Sequence, residues 1–224
     1  MEYLYEMHAH TSEISACAVS TVKEMVEYYN DSEYYGIVLT NHMNSSTFNK
    51  ANLTNASWDE KIDHFMKGYH LMKEAAGDRF KVILAMELCF YDSPNDYLVY
   101  GITEEFLRSH GALMAMTPED FYILAKENDI LFLQAHPFRR GLSVGDWEYL
   151  DGYEIFNGNP RHNSCNEMAE IWAKYHNKSI VVSGSDFHQK EDACLGGIYF
   201  NVPIETPAQL VEELKKGNYR IKKP

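Results

Sequence analysis

The sequence predicts an α/β fold in which mostly parallel strands gather into one sheet or barrel. Three observations carry this reading. Short apolar runs recur along the chain at lengths suited to buried strands. Helix-type stretches with recognisable start signals alternate with them. Each of five runs also ends on a residue type that binds metal. If the runs are parallel, those ends collect at one face, where α/β barrels carry their sites.

The elements follow in order. The first run is Tyr3 to His10, and its last residues are His8 and His10. Thr21 with Glu24 forms a capping box that opens a helix. The second run, Gly36 to His42, passes from Ile37, Val38 and Leu39 to Thr40, Asn41 and His42, as a strand does on leaving a core. Ser57 with Glu60 opens a helix running to Ala76. It places Trp58, Ile62, Phe65, Met66 and Tyr69 on one face, to lie against the outside of the sheet. The third run, Lys81 to Leu88, carries Glu87. Only Cys89 to Asp96 separates it from the run Tyr97 to Ile102, too short a link for a parallel crossover. The turn sequence Ser93-Pro94-Asn95-Asp96 predicts a hairpin there and hence an irregular barrel.

Thr117 with Asp120 forms a further capping box, with Pro118 as the first helical residue, and Ile130 to His136 is the fourth ligand-bearing run. Asp151 to Gly158 is a further strand with polar residues at its exit. Pro160, after Asn159, is placed as a first helical residue. Ser179 to His188 is the fifth run and ends on Asp186 and His188. Gly196 to Pro203 reads as a last, peripheral strand, and Thr206 with Gln209 forms a capping box, with Pro207 first in a final helix. No repeat or linker divides the chain, so 1–224 is expected to be a single domain.

Composition narrows function. The formal net charge is -13, from 33 acidic and 20 basic residues. That disfavours nucleic acid and anionic membrane as main partners, since both reward clustered Lys and Arg. Bound divalent ions would reverse the field locally, so an anionic substrate remains compatible. The four cysteines, Cys17, Cys89, Cys165 and Cys194, form no C-x-x-C pair. With no signal-peptide pattern and no apolar run of membrane-span length, a reduced cytoplasmic setting is expected.

The site candidates follow from strand geometry. On a strand, residues i and i+2 face the same way, so His8 and His10 can share an ion, as can Asp186 and His188. Glu87, after five apolar residues, is costly to bury without a cation and can bridge two ions through its two oxygens. His42 and His136 join by position. Glu13 lies where the chain turns after the first strand and can reach back over the mouth. Asn41 reads as an orienting neighbour rather than a ligand. Arg139, three residues past His136, suits bidentate contact with a phosphate. Asn157 is a candidate substrate contact. His64, His70, His110, His162 and His176 lie away from the strand ends and read as structural or solvated.

Taken together, His8-Ala9-His10-Thr11, Thr40-Asn41-His42, Glu87, Ala135-His136-Pro137 and Ser185-Asp186-Phe187-His188 resemble the PHP (polymerase and histidinol phosphatase) superfamily, in that family's order. The resemblance implies a distorted TIM-like (β/α)7 barrel with the metal site at the C-terminal strand ends. It implies two or three divalent ions (zinc, manganese or iron) and hydrolysis of phosphoesters by a metal-activated water. His8, His10, Glu87 and Asp186 would hold one ion, and Glu87 and His136 a second. His42 and His188, with Glu13, would hold a third. Asn41 departs from the commoner Asp. Near Tyr97 the family's usual extra His is missing, and Asp96 is the available substitute ligand. His136, His188 and Arg139 are the expected catalytic residues, acting on a small phosphorylated substrate. Two other classes compete: a metal-dependent amidohydrolase, which usually needs a mid-barrel Lys not found at any strand end here, and a non-catalytic metal- or phosphate-binding module.

Overall fold

A computed structural model describes residues 1–223 of the chain. Ten strands are present among them: β1 (Tyr3–Glu6), β2 (Tyr34–Leu39), β3 (His42–Met43), β4 (Lys81–Cys89), β5 (Asp96–Tyr100), β6 (Leu131–Gln134), β7 (Gly152–Asn157), β8 (Ile180–Gly184), β9 (Gly197–Phe200) and β10 (Tyr219–Lys222). Nine follow one another in the spatial order β10-β9-β1-β2-β4-β5-β6-β7-β8, and β3 pairs with β4 beside this path. Past the end of β8, Phe187 makes a parallel bridge to Ala9, with His10 N–H donating to Phe187 O at 2.9 Å and Phe187 N–H to His8 O at 3.1 Å. The sheet thereby closes, nearly, into a barrel.

This is a mixed barrel of nine strands, irregular as expected but without the strand number and order of the expected distorted (β/α)7 barrel. β1, β2 and β4 are mutually parallel, as are β6, β7 and β8, but β5 runs antiparallel to both neighbours. The cause is the short link already noted, which permits only a hairpin. β9 is not peripheral. It pairs antiparallel with β1, and Ile198 and Phe200 are fully buried. β10 extends it, and its charged sequence Tyr219-Arg220-Ile221-Lys222 carries no apolar run that would announce a strand.

Seven helices accompany the strands: α1 (Val22–Tyr29), α2 (Ser45–Lys50), α3 (Trp58–Ala76), α4 (Glu104–Ser109), α5 (Pro118–Glu127), α6 (Asn166–Tyr175) and α7 (Pro207–Lys216). Capping boxes start α1 at Thr21 and α3 at Ser57. At α5 and α7, Thr117 and Thr206 cap with Pro at the first turn, but no box closes. Asp120 is too short, and Gln209 reaches the Glu205 N–H instead. Pro160 opens no helix; α6 begins only at Asn166.

The period of two along β4 explains how the site is aimed. Ile83 and Ala85 pack in the barrel interior with Leu98, Leu131 and Leu133, while Leu84, Met86 and Leu88 pack outward with Ile62, Phe65 and Met66 of α3. Glu87 shares the interior parity, so the strand that buries the core also points its carboxylate at the barrel mouth. Burial of each such large side chain contributes roughly 1.5–3 kcal/mol, which offsets the cost of holding a polar cluster at one end.

Candidate metal centre

All seven strand-end residues singled out above converge. His8, His10, Glu87 and Asp186 bring one ligand atom each to within 4.8 Å of one another. His8 Nε2 lies 3.2 Å from Glu87 Oε2 and 3.4 Å from Asp186 Oδ1; His10 Nε2 lies 3.0 and 3.6 Å from the same atoms. Glu87, Asp96 and His136 form a second group, with His136 Nε2 3.2 Å from Glu87 Oε1. His10, His42 and His188 form a third, in which the His10 ring stacks 4.3 Å from that of His42 and lies 4.5 Å from that of His188.

Orphaned atoms test whether these residues fit a metal. His8 Nε2, His10 Nε2, His42 Nδ1 and Glu87 Oε2 are buried and have no hydrogen-bond partner. The short distances to Glu87 Oε2 are therefore contacts without hydrogen-bond geometry. An unsatisfied buried polar group costs roughly 1–3 kcal/mol, so four in one small volume need a common partner. Bonds of about 2.0–2.2 Å to a cation give ligand–ligand edges of about 3.0–3.5 Å, the spacing seen here. A His and carboxylate donor set suits zinc, iron or manganese.

The charge balance says the same. Burial works against ionising Glu87, yet His8, His42, His10 and His136 outweigh it and hold the carboxyl well below its usual range. Burial likewise disfavours protonated His8, but Glu87, Glu154 and Asp186 push that ring well up. The pocket demands positive charge, and without an ion a proton supplies it. His42 and His188 go the other way. Burial, and then the nearby His10, depress them to about 3 and about 4, so both rings are neutral and ready to donate lone pairs near pH 7. Burial and the Glu87 charge raise Asp96 to about 6.

Behind the cluster stands a layer that the sequence reading missed. Glu154, fully buried on β7, takes His8 Nδ1 at 2.9 Å and accepts from His136 N–H at 2.9 Å. It fixes one ring's tautomer and the backbone of a second site residue together. Glu6 accepts from the N–H groups of Met7, His8 and Ser185 and from Tyr29 OH, clamping the ends of β1 and β8. Both were readable by the argument used for Glu87, since each is a carboxylate inside an apolar strand. Asn41 Oδ1 accepts from Thr11 N–H and from Ser15 Oγ, which lies 3.2 Å from His10 Nδ1.

Two residues are bent into place. His136 and Asp186 have left-handed backbones, with φ of 27° and 52°. By simple alternation His136 would share the outward face of Phe132. The left-handed turn breaks that alternation, as does Asp186 beyond β8, so strand parity was the wrong reason for pairing Asp186 with His188. Sparsely populated backbone of this kind costs of order 1–3 kcal/mol and clusters at functional sites.

Two expected residues are placed differently. Glu13 stays out of the three groups: both its oxygens accept from Val22 N–H at the start of α1, because the loop turns it towards the helix rather than the mouth. Asn157 is buried and already committed, with Nδ2 donating to Glu154 and Oδ1 accepting from Arg139, so it braces the site from below. Arg139 donates to Asp186 Oδ2 at 2.7 Å and lines the opening. That opening is a cleft of about 200 Å³, also lined by Cys17, Arg161 and His162. His162, read as structural from sequence, sits there after the turn that follows β7.

Comparison with family models and with curated proteins gives no match. Solved structures do match. PsfC from Pseudomonas syringae PB-5123 aligns over 100% of this chain and 92% of its own, at TM-score 0.70 and 15% identity. The lesion-specific endonuclease PfuEndoQ from Pyrococcus furiosus aligns over 99% of this chain but 58% of its own, at TM-score 0.69 and 17% identity. A protein of Bifidobacterium adolescentis ATCC 15703, classed provisionally as a metal-dependent phosphoesterase, aligns over 83% and 88%, at TM-score 0.51 and 15% identity. At such identities the likeness establishes the fold. Among the described residues no helix is long and apolar enough to cross a membrane. The chain shares its nearly closed barrel fold with these structures.

Proposed function

We propose that this chain is a metal-dependent phosphoesterase that hydrolyses a small phosphate ester at a centre of two or three divalent ions. The observation that carries the reading is the set of orphaned imidazole and carboxylate atoms at ion-polyhedron spacing. His8, His10, Glu87 and Asp186 would hold one ion, Glu87, Asp96 and His136 a second, and His42 and His188, beside His10, the edge of a third. When bound, such ions acidify a coordinated water and neutralise phosphate charge.

The chain's own residues supply the rest. Glu87 offers Oε1 to His136's side and Oε2 to the side of His8 and His10, so it ties two groups together. Glu154 locks His8 for donation through Nε2. Arg139, held by Asp186 and Asn157, presents a guanidinium at the cleft where the charge of a transferring phosphoryl would spread. His136 and His188, expected from sequence to move protons, are turned into the cluster and act by holding it. His162 lines the same cleft, and burial with the charges of Arg139 and Arg161 keeps its ring neutral, so it is placed to accept a proton there rather than to give one to the leaving group.

Scale favours a small substrate. The cleft of about 200 Å³ admits a phosphate head and little more, and the net charge of -13 works against duplex binding. A similar structure is nonetheless a lesion-specific endonuclease, so oligonucleotides belong in the assay. The test is turnover of aryl phosphate, nucleoside monophosphates and a short abasic duplex by protein stripped with chelator and reloaded with zinc, manganese or iron. Turnover of a monoester that depends on reloading is expected. Inactivity on every phosphoester with all three metals would defeat the reading.

A further inference from the structure

Helix α6 carries an apolar stripe on its outer surface. Met168, Ile171 and Tyr175 are 51%, 61% and 76% exposed. At spacings of three, four and seven residues they lie along one face of the helix. Ala169 and Ala173, on its other side, hold α6 against the barrel. Aromatic surface borders the stripe. His176 lies 4.4 Å from Trp172 and stacks 4.9 Å from Trp147, which is itself exposed. An exposed apolar residue standing alone needs no explanation, but a continuous row beside aromatic rings marks a contact face.

The charges beside the stripe say what covers it. Glu167, Glu170 and Lys174 run along one flank, with Glu167 in the first turn and Lys174 in the last. Lys174 lies 3.0 Å from Glu170, which Lys223 also holds at 2.7 Å, whereas Glu167 makes no ion pair among the described residues. This order of charge is complementary to its own reverse. A two-fold axis crossing the stripe at Ile171 lays a second α6 antiparallel and brings Met168 over the Tyr175 end. It also turns each flank onto the same flank read backwards. Glu167 then meets Lys174 of the partner subunit, and the contact occurs twice. A parallel arrangement would set the charged flank against the aromatic side and leave Glu167 unmatched. Two copies at -13 each repel one another over most approaches, but on this flank Lys174 and Lys223 offset Glu167 and Glu170.

We propose that the chain forms a two-fold homodimer through antiparallel α6 helices, with Ile171 on the axis and Glu167 paired with Lys174 of the partner subunit. The stripe lies outside the candidate metal centre, so the dimer stands or falls apart from the reaction assigned to that centre. Ile171, Glu167 and Lys174 are all exposed, so replacing them leaves the core of the chain intact.

The test is sedimentation equilibrium of the full chain over a range of concentrations, with circular dichroism confirming that each variant is folded. A reversible dimer is expected for the native chain, and Ile171→Glu should weaken its dimerisation about 10-fold or more. Glu167→Lys alone and Lys174→Glu alone should each weaken it, because each sets like charges face to face. The double reversal, Glu167→Lys with Lys174→Glu, should regain the native constant. A native chain that stays monomeric at every concentration overturns the proposal and leaves the face to a different protein or to solvent. A dimer that Ile171→Glu leaves intact overturns it as well, since the contact then lies elsewhere. A double reversal that dimerises no better than the single variants overturns the antiparallel pairing.

Discussion

Glu154 shows how much of this centre rests on one residue that touches no ion. Its two oxygens serve His8, His136 and Asn157 at once. Glu154→Gln keeps the shape but gives an amide that cannot accept at both ends. Metal retention should weaken about 10–100-fold, the usual scale for such supporting carboxylates, while the folded spectrum is preserved. Competition against a chromophoric chelator measures this, and unchanged affinity would show that Glu154 is packing alone.

Asp96 makes the pH prediction. Its carboxyl is raised to about 6, by burial first and the Glu87 charge second. The protonated form does not ligate. Affinity at the group of Glu87, Asp96 and His136 is therefore full above that value and declines as pH falls through it. His42 and His188 stay neutral down to about 3 and about 4, so their group is less sensitive over the same range. Metal titrations at several pH values should resolve one class of ion lost near pH 6, and Asp96→Asn should remove that step.

At the scale of elements, the seam between β8 and β1 positions the site. A Cβ on Gly184 would lie 2.3 Å from His8 Cβ and 2.9 Å from His8 N. Gly184→Ala must push the two strand ends apart, at a cost of about 1–3 kcal/mol, and moves His8 away from Asp186. Denaturant unfolding should show the lost stability, and metal content should fall with it. A fully loaded, equally stable variant would mean the seam can relax without the site noticing.

Much at this scale was legible. Five apolar runs gave the seven strand-end residues that converge, and a link too short for a crossover gave the hairpin of β4 and β5. Capping chemistry located α1, α3, α5 and α7. The remainder depended on tertiary placement. β10 has no apolar signature. Pro160 sits in a turn whose neighbours decide against a helix. Glu13 and Asn157 are polar residues near the mouth, and only the fold says which way each is turned. The left-handed backbones at His136 and Asp186 are set by surrounding hydrogen bonds that strand periodicity does not encode.

For the whole molecule, a barrel closed by one strand-end bridge holds a buried group of rings and carboxylates with unpartnered polar atoms at its open end. Side chains from β3, β4, β5 and the segments beyond β1, β6 and β8 meet there, so one ion binding native but not unfolded chain would stabilise the entire barrel. The measurement that tests this most directly is elemental analysis of the native protein beside Glu87→Gln, with the melting temperature of each before and after chelation. The account predicts two or three equivalents of zinc, manganese or iron in the native chain and a marked fall in melting temperature on stripping. It predicts substoichiometric metal with little further change in Glu87→Gln. A native protein that carries no such metal, takes none up and melts identically with and without chelator would contradict it.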